Sequence, residues 1–170
     1  MVFSTPIFLF LFLPAVLVLN YIIPKKYIAA KNVVLLIASL FFYAWGEPKN
    51  VLLMLLSIAV NYVCGLLLGR FDSDEKKRKV VLWASVVFNL GLLFFFKYFN
   101  FVTGGLFRVI KLPIGISFFT FQIMSYTIDV YRRSVEPQKN LVKLALYISL
   151  FPQLIAGPIV RYIDVEKQLT

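Results

Sequence analysis

The chain has 170 residues, 61% of them hydrophobic, a mean hydropathy of +0.85 and a formal net charge of +10. Soluble domains are about 45–50% apolar, so this composition excludes an ordinary soluble fold and points to lipid. The basic residues lie between long apolar runs and carry no aromatic stacking motif, which sets nucleic-acid binding aside.

Residues 2–23 form the first apolar run, with Pro14 near its middle as an expected kink. No basic segment precedes it and no small-residue cleavage site follows, so it reads as a retained span rather than a signal peptide. Residues 28–45, 51–69 and 80–99 form three more runs, separated by the polar turn 46–50 and the charged segment "RFDSDEKKRK" at 70–79. Each approaches the roughly 20 residues that a helix needs to cross a bilayer. Residues 112–131 are a fifth candidate span, richer in polar side chains. Residues 141–160 are a sixth apolar stretch, interrupted by Pro152 and by Gly157-Pro158. The expected fold is all-α: a polytopic transmembrane helix bundle in one membrane domain, with about five spans plus a broken or re-entrant sixth segment.

Basic residues set the orientation. Lys25, Lys26, Lys31, Arg70, Lys76, Lys77, Arg78, Lys79, Arg132, Arg133, Lys139 and Lys143 follow the odd spans. Only Lys49, Lys97, Arg108 and Lys111 follow the even ones. The positive-inside rule then places the N-terminus outside and the odd connections in the cytoplasm of a cell (plasma or inner) membrane.

Polar residues within the runs are the candidate sites. Asn61 and Asn89 lie near the centres of adjacent antiparallel spans, at depths where they can bond each other as helix-packing groups. Gln122, Ser125 and Asp129 recur at i, i+3 and i+7, within about a 60° sector of one helix. Two readings stand for this face: it lines an internal pore or funnel, or Asp129 simply pairs with Arg132 or Arg133 at the interface.

The stretch "FPQLIAGPIVRY" at 151–162 holds two prolines and a glycine in an otherwise apolar run. Irregular backbone at membrane depth must be buried in protein or line a wet cavity. Gln153, Gly157, Pro158 and Arg161 are therefore funnel-lining candidates; the simpler alternative is a helix end at Pro152 and an interfacial loop. Cys64, the one cysteine, reads as a packing residue, and the absence of histidine removes imidazole as metal ligand or general base.

The segments "LFFFKYFNF" (93–101), "LPIGISFFTFQIMSYTIDVYRR" (112–133) and "YISLFPQLIAGPIVRY" (147–162), with "VFSTPIFLFLFLP" (2–14) and "SLFFYAWGEP" (39–48), carry a resemblance. Together they resemble the membrane-bound O-acyltransferase (MBOAT) family, in its alginate O-acetyltransferase branch, along essentially the whole chain. The resemblance implies a funnel through the membrane. It implies transfer of an acyl group, acetyl in this branch, from a donor inside the cell to hydroxyls of an exported polysaccharide such as alginate. It implies no bound cofactor; the donor, acetyl-CoA or an acyl carrier, stays open, as does the acceptor. The implied partners are the bilayer, the rest of the enzyme and extracytoplasmic acetyltransferase proteins. The family's catalytic histidine is expected beyond Thr170, so residues 1–170 alone are expected not to transfer acyl groups. Other functions stay open: a secondary transporter, though no internal repeat is visible, or a non-catalytic scaffold subunit.

Overall fold

A computed structural model describes residues 6–24, 26–102, 113, 115–156 and 160–169. Its elements are a π-helical turn Phe8–Phe12 running into α1 (Leu13–Ile22), then α2 (Ile28–Gly46), α3 (Asn50–Arg70), α4 (Glu75–Val102), α5 (Ile116–Tyr131), α6 (Leu141–Ser149), α7 (Phe151–Ala156) and α8 (Tyr162–Leu169). The chain is an all-α membrane helix bundle. Three of its helices, Ile28–Gly46, Asn50–Arg70 and Glu75–Phe99, are long and apolar enough to cross a bilayer.

The π turn accounts for Pro14. Proline has no N–H and its ring crowds the carbonyl one turn earlier. Widening the helix just before it, with the Leu13 N–H donating back to the Phe8 carbonyl, places Pro14 in the first turn of α1, where neither defect matters. The same turn presents Phe8 and Phe12 to Phe42 of α2 and Phe151 of α7.

Helix α5 is the hub, touching α3, α4, α6, α7 and α8. It begins at Ile116, after Pro113 and a left-handed Gly115 (φ 76°), a conformation that only glycine adopts without strain. Its 16 residues are fewer than a full span requires. Nine of them are buried: Ile116, Phe119, Thr120, Gln122, Ile123, Tyr126, Thr127, Asp129 and Val130. Gly65 lets α3 approach closely, since a Cβ there would sit 2.6 Å from the Tyr126 hydroxyl. Tyr126 in turn stacks edge-on against Tyr162 of α8, which does the same with Tyr147 of α6.

Asn61 and Asn89 bond each other reciprocally across α3 and α4, at 3.1 and 2.8 Å. Three hydroxyls join them. Ser57 donates to Asn89 Oδ1, while Ser85 and Thr127 donate to Asn61 Oδ1, so the network reaches α5. All five side chains are buried.

The charged segment 70–79 is not one loop. Asp74 caps α4 by accepting from the Lys77 N–H, and residues 75–79 are helical. Arg78, counted above among the basic residues that follow the odd spans, is 1% exposed. It donates to the Leu68 carbonyl at the end of α3 and to the Val130 and Tyr131 carbonyls at the end of α5, and to Asp72. Two helix C-termini each leave carbonyls without helical partners and carry partial negative charge; one guanidinium answers both. From the other side, Arg133 holds the turn between α3 and α4 through Asp72 and Glu75. Arg133 occupies a left-handed position (φ 60°) where glycine is usual, closing α5 with the Ser134 N–H donating to the Asp129 carbonyl.

Two outcomes are expected. Asn61→Leu removes the acceptor shared by Asn89, Ser85 and Thr127 and one donor to Asn89, and should cost about 1–3 kcal/mol in detergent-micelle unfolding. The Asn61→Leu/Asn89→Leu double variant should cost less than the sum of the two single changes. The hydrogen bond from Arg133 holds the Asp72 carboxyl below its ordinary range. A depressed acid stabilises the fold above its unfolded pKa and ceases to as pH falls through its folded value. Melting curves of the wild type should therefore lose stability as pH drops below roughly 4, and Asp72→Asn should flatten that component.

Candidate functional site

The sixth apolar stretch breaks at Leu150 (ψ 114°), between α6 and α7. Pro152 sits in the first turn of α7, where it needs no N–H donor, so it starts a helix rather than disrupting one. The break frees backbone groups, and they find partners on other helices. Gln122 of α5 donates its Nε2 to the Tyr147 carbonyl at 2.7 Å, and Phe151 N–H reaches Ser39 Oγ of α2 at 3.4 Å. The irregular backbone is thus tied to α2 and α5. Gln122 also bonds Gln153 Oε1 at 3.2 Å, joining two of the residues singled out from sequence. Gly157 and Pro158 lie outside the described residues.

The second grouping lies at the C-terminal end of α5. Asp129 is 2% exposed, and its Oδ1 accepts from Arg161 Nη2 at 3.0 Å. An acid two residues from a helix C-terminus faces the negative end of the dipole and needs a cation. Arg161 supplies it, rather than the Arg132 or Arg133 considered above. Asp129 Oδ2 has no hydrogen-bond partner among the described residues. Arg161 is half exposed, and the residue after it, Tyr162, anchors α8 through Gln138 at 2.6 Å. Ser125, Asp129 and Arg161 line a cavity of about 350 Å³ with Phe121, Met124, Ile128 and Arg132.

The site residues therefore divide. Gln122 and Gln153 meet at the helix break. Ser125, Asp129 and Arg161 meet at the cavity. Asn61 and Asn89 belong to the packing network. Sequence reasoning missed Ser39, Ser57, Ser85, Thr127, Tyr147 and Arg78. For two of these a signal existed: a serine stands four residues before each asparagine, Ser57 before Asn61 and Ser85 before Asn89, which puts both on the asparagine's helix face.

Similarity to known proteins covers nearly the whole chain. It is 40% identical, over 99% of its length, to a probable alginate O-acetylase AlgI of Pseudomonas aeruginosa. Identity is again 40% with the Azotobacter vinelandii protein of the same name, and 34% with the peptidoglycan O-acetyltransferase of Helicobacter pylori. The chain is thus similar, along nearly its whole length, to proteins named alginate O-acetylase and peptidoglycan O-acetyltransferase. It spans about a third of the length of these relatives: 34%, 36% and 38% respectively. No family model matches the chain, and no solved structure does.

Losing the Gln122 amide would orphan the Tyr147 carbonyl at the break. Gln122→Leu should lower stability by about 1–3 kcal/mol in micelle thermal unfolding, while Gln153→Leu, which leaves the carbonyl bonded, should cost clearly less.

Proposed function

We propose that the chain forms part of a membrane O-acetyltransferase that esterifies hydroxyls of an exported polysaccharide, alginate-like or peptidoglycan-like. The observation that carries this reading is the whole-chain similarity to proteins named for those two acetylations. In that reaction a sugar hydroxyl attacks the carbonyl of an activated acetyl group, loses its proton to a base, and expels the donor's carrier. Base assistance is worth typically 10²–10⁴-fold. The sequence contains no histidine, so the expected family base is not supplied by residues 1–170.

The residues of this chain then act as wall and support. The Gln122–Gln153 bond fixes the α6–α7 break against α5, making it a polar edge of the acyl path. The Asp129–Arg161 pair fixes the start of α8 on the end of α5. Neither pair donates or removes the reacting proton. Their contribution is positional, and misplacing a reacting group by about 1 Å can cost roughly 10²-fold. The acetyl donor, acetyl-CoA or an acyl carrier, would be delivered from the cytoplasmic face of a bacterial inner membrane, with the N-terminus on the opposite side.

The test replaces the aligned third of the Pseudomonas aeruginosa relative with residues 1–170 and measures polysaccharide acetyl content. The chimera should acetylate. Gln153→Leu and Arg161→Leu within it should each reduce acetylation at least about tenfold with unchanged membrane insertion. The isolated 170-residue chain should give no turnover. Wild-type acetylation by both variants, or turnover by the isolated chain, would overturn the assignment.

A further inference from the structure

The cavity at the end of α5 joins apolar side chains to two arginines. Phe121, Met124 and Ile128 form an apolar track along the outer face of the helix, leading to Arg132 and Arg161. From Phe121 to Arg132 the helix rises about 17 Å, close to half the roughly 30 Å hydrocarbon core, so the track matches one leaflet.

Its mouth is cationic. The Arg132 side chain is exposed and makes no ion pair or hydrogen bond among the described residues. Arg161 gives one Nη2 hydrogen bond to Asp129 and keeps the rest of its exposed guanidinium available. The Asp129 charge is answered by Arg161, which leaves one positive charge in surplus on the lining. Asp164 of α8 also acts on Arg161 but does not line the cavity. Guanidinium groups match phosphate oxygens in pairs, better than an ammonium does. Basic pockets between helices at a membrane face are suited to anionic head groups.

We propose that this groove binds one anionic phospholipid. Its phosphate lies between Arg132 and Arg161, and one acyl chain lies along Phe121, Met124 and Ile128. The inference does not depend on the acetyl-transfer reading, because it uses only the side chains that line this cavity.

Native mass spectrometry of the purified 170-residue chain tests it, with dioleoylphosphatidylglycerol and dioleoylphosphatidylcholine titrated separately. The chain should retain one phosphatidylglycerol, at concentrations about tenfold below those needed for phosphatidylcholine. Arg132→Ala should weaken retention about tenfold, with Arg132→Lys recovering part of it. Met124→Trp, which fills the track and leaves the charges, should also weaken retention, so a folding defect in one variant does not decide the matter. Circular dichroism checks helix content in each. Equal retention of the two lipids overturns the proposal, as does wild-type retention by both Arg132→Ala and Met124→Trp. Displacement of the lipid by millimolar inorganic phosphate would show an anion site without an acyl track, and overturns it too.

Discussion

Hydrocarbon offers no hydrogen-bond partner to a bare peptide group, and everything else in this bundle follows from that constraint. An unmet backbone donor or acceptor costs several kcal/mol in lipid, whereas a bond that is made adds only about 1 kcal/mol net. The asymmetry means that each place where a helix stops must be closed by something. Here it is closed by side chains from other helices. Arg78 of α4 closes the ends of α3 and α5. Gln122 and Ser39 close the break at Leu150. Other polar residues inside the apolar runs, Asn61 and Asn89 with their three hydroxyls, bond helix to helix instead.

The consequence is a hub. Helix α5 is too short to span alone, yet it carries the polar groups that bind its neighbours. Gln122 serves α6 and α7, Thr127 joins the α3–α4 network, and Asp129 receives α8 through Arg161. A helix committed on several faces to other helices is rigid and fixed in depth. Such an element can hold the wall of a reaction path in place, which loops at the membrane surface cannot do as well. Among the described residues, Phe121 and Ser125 of α5, with Arg132 just after it, instead line the cavity at its end.

Much of this was legible beforehand. Apolar run lengths mark the long helices because lipid enforces them, and two asparagines at matching depth must find each other or pay desolvation. Proline and glycine in 151–162 mark a break, although its position at Leu150, just ahead of Pro152, depends on proline's preference for a first turn. Other features were hidden for physical reasons. Arg78 looks like any cation in "EKKRK", and only tertiary packing distinguishes the one that turns inward. Arg133 violates the glycine preference of its backbone position, compensated by contacts 61 and 58 residues away that no local rule anticipates. The π turn at Phe8–Phe12 is visible only once Phe42 and Phe151 are seen packed around it.

Amide hydrogen exchange on the chain in lipid nanodiscs tests most directly whether interrupted helices are closed from neighbouring helices. The informative amide is Phe151, freed by the break and directed at Ser39. The account predicts that it exchanges slowly, at rates comparable with the interior of α6. Exchange as fast as the polar connection at residues 134–139 would show an open, hydrated break and contradict it.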